Sequence, residues 1–326
     1  MNIVVIGLGS MGRRRIRLIK QYDDSYKIIG IDLDRERREI SEIEFGIETR
    51  ESLEDVINNY NISCAIICSS PLSHSKLINI CLRNNLHVFT ELNLVTDGYD
   101  ENIQLSKEKN KVLFLSSTLL YREETKKIDK LVREQDNKLN YTYHSGQYLP
   151  EWHPWENYNN FFVGDKRTNG CRELFAIELP WLIEVFGNIK DIYVRKSKIS
   201  SLNIDYNDNY MVIFEHESGH KGMVAIDIVS RKAVRNLEIF GENIYLSWDG
   251  SAKGLKIMNI ENKKEENIPL YEKVDQLNQD SRFVVENAYM NEIHAFFDSI
   301  NNNSDPIYTF EHDKIILQLI DTIESM

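Results

Sequence analysis

The chain is short of cysteine, of long apolar runs and of cationic side chains. Its four cysteines, Cys64, Cys68, Cys81 and Cys171, form no close C-x-x-C pair and no cysteine–histidine cluster. That excludes a structural zinc site and predicts reduced, mostly buried thiols. No histidine–carboxylate set has HExxH or another recognised metal spacing, so no metal is expected. No stretch approaches the ~20 apolar residues of a membrane span, and the chain opens directly on a strand pattern with no secretory leader. The expectation is a cytoplasmic protein with no membrane partner. Lysine and arginine number 39 against 51 aspartates and glutamates, a net charge of -12. With no basic patch and no recognisable module, nucleic acid is not an expected partner. No nucleophile elbow is present, which excludes the usual serine-hydrolase chemistry.

What is present fits two domains. The chain has 326 residues, 42 % of them apolar, enough for two substantial cores. Short β-branched runs at 2–6, 27–32, 64–68, 86–91 and 111–117 alternate with helical stretches, which predicts parallel βαβ units. Ser52 reads as a helix N-cap followed by carboxylates early in its helix. The first domain is expected over 1–120 and the second over 121–326. In the second, helices are expected at 121–135 and 172–186, the latter despite Pro180. Strands follow near 139–149, 191–198, 209–216, 221–229, 235–240 and 243–248, and helices near 282–300 and 311–325 close the chain. The fold class is α/β: an N-terminal Rossmann domain plus a C-terminal α/β domain with a large, mostly antiparallel open sheet.

The first strand runs into Gly7-Leu8-Gly9-Ser10-Met11-Gly12, which opens a helix. Gly7 permits the tight turn, Gly9 lets backbone approach a pyrophosphate, and Gly12 lets helix and strand pack closely. The helix N-terminus, at Ser10 and Met11, then faces the phosphate charge. Asp32 lies 20 residues beyond Gly12 at the end of the second strand, the place of a carboxylate that accepts ribose hydroxyls. Asp32 favours NAD(H) over NADP(H), a preference that nearby Arg13, Arg14 and Arg35 soften.

With GLGSMG at 7–12, Asp32, ICSSPLSH at 67–74 and RNNLHVFTELN at 83–93, the chain resembles the glucose–fructose oxidoreductase / inositol dehydrogenase (Gfo/Idh/MocA) family. The resemblance implies a nicotinamide cofactor in the first domain, with Ser69, Pro71, His74 and Glu91 beside it. It implies a substrate domain for a sugar, sugar nucleotide or cyclitol, and homodimers or homotetramers formed through the open sheet. The HPWE loop at 153–156 resembles those of surface-glycan pathway members, which places the protein in carbohydrate metabolism or polysaccharide biosynthesis. Two family groups are replaced. Where the family has Glu-Lys-Pro, this chain has Glu91, Leu92 and Asn93. Where it has the histidine of an Asp-x-x-x-His helix, counting back from Gly187 gives Ile177, and counting forward from Gly170 gives Glu178.

Hydride transfer at an alcohol needs a base within hydrogen-bond reach of the hydroxyl. Glu178 is one candidate, since its apolar helical surroundings predict poor solvation and a raised pKa; pairing with Arg172 is the alternative. His153 is another, set between Trp152 and Trp155 and beside Glu156, which would orient the ring. Tyr148 and Tyr121 are hydroxyl donors for the same cleft. Trp152 and Trp155 suit a sugar or nucleotide, or else anchor their loop. Arg122 is placed for a phosphate or carboxylate on the substrate. Lys166 and Arg167 suit a nucleotide diphosphate, or form a solvated charge pair. The leading function is an NAD(P)-dependent oxidoreductase acting on a sugar or sugar nucleotide, with the usual lysine and histidine replaced. The alternative is a catalytically silent or regulatory dinucleotide-binding protein in a glycan pathway.

Overall fold

The computed structural model describes residues 1–154, 156–277, 281–302 and 304–326. It divides into two compact units. The first comprises Met1–Ser117 and Tyr289–Leu317, the second Thr118–Ala288 and Gln318–Met326.

The first unit is built on a parallel six-stranded sheet: β1 (Asn2–Ile6), β2 (Lys27–Ile31), β3 (Glu48–Arg50), β4 (Cys64–Ile67), β5 (His87–Thr90) and β6 (Leu113–Leu115). Their order is β3-β2-β1-β4-β5-β6. The strands read as continuous apolar runs because helices cover both faces; Ile3, Val4, Val5, Ala65, Ile66 and Ile67 are fully buried. The strand order reverses between β1 and β4. That leaves a crevice at the carboxyl ends of the strands, where α/β sheets bind ligands. Helix α1 (Ser10–Tyr22) buries Ile16, Leu18 and Ile19, and α2 (Arg35–Phe45) follows β2, capped by the Asp34 side chain. Ser52 caps α3 (Leu53–Asn59) as expected, accepting from Asp55 N at 3.5 Å. Helices α4 (Pro71–Arg83) and α5 (Tyr99–Lys109) complete the alternation.

The C-terminal segment departs from the sequence reading. Residues 289–317, expected in the second domain, belong to the first unit. They carry most of α8 (Glu286–Asn302) and the first half of α9 (Phe310–Ser325). The cause is aromatic packing: Phe296 meets Phe89 and Phe114 edge-on at 5.6 and 5.8 Å, and Phe297 stacks on Tyr22 at 4.7 Å.

The second unit holds α6 (Glu123–Arg133), α7 (Gly170–Phe186) and an eight-stranded sheet. Its strands are β7 (Asn140–Gly146), β8 (Ile189–Ser197), β9 (Asn209–His216), β10 (Lys221–Asp227), β11 (Val234–Phe240), β12 (Tyr245–Trp248), β13 (Lys256–Asn259) and β14 (Lys264–Asn267). Every pairing is antiparallel except β7 with β10. One face packs on α7, where Tyr141 stacks on Phe186 at 4.0 Å and Tyr143 meets Trp181 edge-on. The alternate residues Tyr193, Met211, Ile213 and Met223 are exposed.

Candidate functional site

The glycine turn of the first unit closes by contacts that only glycine permits. Gly7 has φ +93°, and a Cβ there would lie 2.7 Å from the Cys68 carbonyl oxygen. A Cβ on Gly12 would overlap the Gly7 carbonyl. Gly9 differs: its backbone is extended, and a Cβ would meet only an Arg37 guanidinium nitrogen at 3.8 Å. The space over Gly9 is therefore open. Gly9 also caps α1 with no side-chain bond to the N–H groups of the first turn, at Ser10, Met11 and Gly12. Those donors and the helix dipole suit an anion. Asp32 completes the turn, accepting Leu8 N–H at 2.7 Å and Asp34 N–H at 2.8 Å. Arg13 and Arg35 pair with Glu44 and Glu39, so each brings a carboxylate of its own. These residues fit a dinucleotide.

On the other side of the turn, Ser69 bonds Ser73 through the hydroxyls at 2.7 Å, and Pro71 opens α4 as a buried N1 residue. His74 makes structural hydrogen bonds through both ring nitrogens. It is buried, with Nε2 2.9 Å from the Ser69 carbonyl and Nδ1 2.7 Å from the Asn93 amide. Burial lowers its pKa, and the ring works as a clamp between the loops after β4 and β5. Glu91 lies between those loops, its Oε1 2.5 Å from Arg15 Nε. Burial and the neighbouring Glu91 carboxylate hold the Cys68 thiol well above the usual range, so it is neutral.

In the second unit two of the expected site residues are engaged in bonds within the fold. Glu178 is fully buried, but it is ringed by donors, most of them from the sheet. It accepts from Tyr143 OH (2.6 Å), Ser145 Oγ (3.0 Å), Trp181 Nε1 (2.9 Å) and Arg235 Nε and Nη2 (2.9 and 2.7 Å). A carboxylate held by so many donors is an architectural anchor, and its cation is Arg235 rather than Arg172. Arg122 is likewise buried. It binds Glu124 through two nitrogens at 3.0 and 2.6 Å and donates to the carbonyls of Gly250 and Phe283. With these bonds made inside the unit, it clamps the start of α6 to the loops at Gly250 and Phe283.

The loop after β7 keeps part of its expected geometry. His153 Nδ1 lies 3.0 Å from Glu156 Oε1, the predicted orienting pair, and the ring packs on Phe161. Trp152 donates to the Gln147 carbonyl at 3.2 Å, so it anchors the loop. Tyr148 lies under the Arg231 guanidinium at 3.7 Å. Tyr121 is buried, and Lys166 and Arg167 are exposed. Trp155 lies outside the described residues.

One group was not singled out from the sequence. Glu173, in the first turn of α7, has a buried Oε2 that no donor among the described residues meets. Burial pushes its pKa up to about 8. A signal for it existed: Glu173 lies four residues before Ile177, the aspartate place of the Asp-x-x-x-His pattern counted back from Gly187.

Residues 1–117 match an oxidoreductase family described by its NAD-binding Rossmann fold. The chain is 31 % identical over 137 residues to myo-inositol 2-dehydrogenase of Thermotoga maritima, covering 40 % of each. It is 31 % identical over 124 residues to human biliverdin reductase A, covering 37 % of this chain and 41 % of that one. The chain thus spans about two fifths of the length of these curated relatives. Levoglucosan dehydrogenase in complex with NADH is similar over 100 % of this chain and 96 % of its own, with a TM-score of 0.82 and 13 % identity. At that identity the likeness is one of fold. Among the described residues no helix is long and apolar enough to cross a membrane, and no group of His, Cys, Asp and Glu is arranged to hold a metal.

Proposed function

Since its residues 1–117 belong to the Gfo/Idh/MocA oxidoreductase family with its NAD-binding Rossmann fold, we propose that this protein is an NAD(P)-dependent oxidoreductase acting on a hydroxyl or keto group of a sugar or sugar nucleotide. The observation that carries the reading is the open, uncapped α1 N-terminus at Gly9, with Asp32 closing the turn beside it. The first-turn N–H groups bind the pyrophosphate, and Asp32 accepts ribose hydroxyls, which favours NAD(H) over NADP(H). When bound, the nicotinamide exchanges the hydride. The chain's own task at the substrate is then to move a proton. Leu92 and Ile177 cannot do it, and Glu178 is fully engaged. Glu173 is the acid/base group we assign: it is a carboxyl with an unbonded buried oxygen and a pKa near 8, suited to general acid/base work near neutrality. His153, oriented by Glu156, is the second candidate for that proton. Tyr148, Lys166 and Arg167 are left as contacts to the substrate's outer groups.

Titration calorimetry with NADH, followed by turnover assays on a panel of sugars and nucleotide sugars, tests the reading. NADH binding with turnover abolished in Glu173→Gln supports it. Turnover abolished in His153→Ala but retained in Glu173→Gln moves the proton to His153. Tight NADH binding with no turnover on any substrate favours the second reading, a regulatory dinucleotide-binding protein. Leu92 where the family places a lysine, and Ile177 or Glu178 where it places a histidine, speak for that reading. We further propose that the protein associates as a homodimer or homotetramer through the open face of the eight-stranded sheet.

A further inference from the structure

Glu173 sits where burial is hardest to keep. A buried carboxyl oxygen that no donor among the described residues meets is costly, and a helix end can fray to let water reach it. Glu173 is the fourth residue of α7, within the turn whose N–H groups lack partners inside the helix. That turn is held shut by the last turn of α9. Glu324 Oε1 accepts Asn169 Nδ2 at 2.8 Å, and its Oε2 accepts Arg172 Nη1 at 2.5 Å. Asn169 is the N-cap of α7: its Oδ1 accepts Arg172 N–H at 2.8 Å, and its carbonyl accepts Glu173 N–H at 3.0 Å. The two oxygens of one carboxylate thus grip the cap residue and the residue just before Glu173. Arg172 Nη2 also donates to Asp321 Oδ1 at 2.7 Å, and the Lys196 ammonium group of β8 donates to the Glu324 carbonyl. All of these residues belong to the second unit.

Capping alone needs less than this. One acceptor at the N-cap satisfies a first-turn N–H, and Asn169 Oδ1 supplies it without Glu324. The grip from α9 therefore has a separate effect: it keeps the turn closed around Glu173. The cluster's charges, on Arg172, Lys196, Asp321 and Glu324, do not set the Glu173 proton directly; burial is the cause of its raised pKa. What sustains the burial sustains the raised pKa.

We propose that Glu324 is a positioning residue: by pinning Asn169 and Arg172 it holds the first turn of α7 closed and keeps the Glu173 carboxyl shielded from water. This rests on the assignment of Glu173 as the acid/base group above. The bond to Arg172 joins two charged groups and is of the stronger kind, which suits it to hold a turn that would otherwise open.

The test follows the infrared C=O band of the protonated Glu173 carboxyl, identified as the band lost in Glu173→Gln, from pH 5 to pH 10 in the full chain. In wild type the band should disappear with a midpoint of about 8. In Glu324→Ala it should disappear about one pH unit lower or more, because water that reaches the group removes the desolvation that raised its pKa. Asn169→Ser keeps an acceptor at the N-cap but lacks the amide donor to Glu324, and should move the midpoint the same way; it decides the matter if Glu324→Ala does not fold. Glu124→Gln is the stability control: it breaks the buried pair with Arg122 elsewhere in the unit, and should lower the thermal midpoint while leaving the band's midpoint in place. A Glu324→Ala protein that melts earlier with its band unmoved would show a merely structural role and overturn the proposal, as would an unmoved band in Asn169→Ser. If Glu173→Gln removes no band at pH 6, Glu173 is already ionised there; its acid/base assignment then falls and takes the proposal with it.

Discussion

Glu173 and Glu178 stand on the same helix, α7, in different surroundings. Glu178 is surrounded by donors from β7, β11 and its own helix, whereas Glu173 Oε2 has none among the described residues. Neutralising Glu178 removes the charge that Arg235 is buried against. Glu178→Gln is expected to destabilise the protein by about 3 kcal/mol, the usual cost of breaking a buried pair, in a urea titration. The opposite holds at Glu173. Its folded pKa of about 8 lies above the ordinary 4.5, so between those values the folded state binds a proton that the unfolded chain releases. Stability from this group is therefore present below pH 4.5 and lost as pH rises toward 8. Glu173→Gln should flatten that part of the stability–pH curve and should leave the protein more stable than wild type at pH 8. Thermal melts at pH 5 and pH 8 check it; a variant less stable than wild type at pH 8 contradicts the burial argument.

At the scale of the element, the turn from β1 into α1 separates folding from binding. Gly12 is needed for packing, because a Cβ there overlaps the Gly7 carbonyl. Gly12→Ala is expected to cost about 1–3 kcal/mol, as overpacking does. Gly9 has φ -69° and open space above it, so Gly9→Ala should fold with an unchanged melting temperature. Its methyl group would occupy the place of approach, and we expect NADH to bind at least about tenfold more weakly, roughly the loss of one good hydrogen bond. Normal binding in Gly9→Ala, measured by calorimetry, would contradict close backbone approach. This turn was legible in the sequence because its meaning is local: strand, glycines and helix lie within a few residues. The less legible parts depend on distant partners. Glu178 looked poorly solvated because periodicity shows only its own helix, while all its donors except the Trp181 indole come from β7 and β11 across the sheet. The segment 289–317 gave no sign of returning to the first unit, since Phe296 and Glu292 find Phe89 and Arg15 some 200 or more residues earlier. Strands β13 (KIMN) and β14 (KEEN) were missed because they carry no alternation of buried and exposed positions.

For the molecule as a whole, the question is what the open face of the second sheet does. Tyr193 pairs in register with Ile213, and Ile213 with Met223, so these side chains form one row across β8, β9 and β10; Met211 flanks it. They are exposed by 52, 50, 54 and 58 % respectively. A contiguous apolar row on a sheet face marks an association surface more readily than scattered exposed residues do. Two copies meeting there each bring a net charge of -12, which opposes association at long range. Salt screens that repulsion, with a Debye length of about 10 Å at 0.1 M and about 3 Å at 1 M, while it leaves apolar burial intact. Association through this face should therefore strengthen as salt rises, the reverse of an interface held by ion pairs. Ile213→Glu places a charge at the middle of the row and should give a monomer at every salt concentration. Sedimentation velocity on wild type and Ile213→Glu at 0.05 and 0.5 M NaCl distinguishes the two cases. A wild-type oligomer that dissociates as salt rises, or an Ile213→Glu protein that still assembles, would place the interface elsewhere.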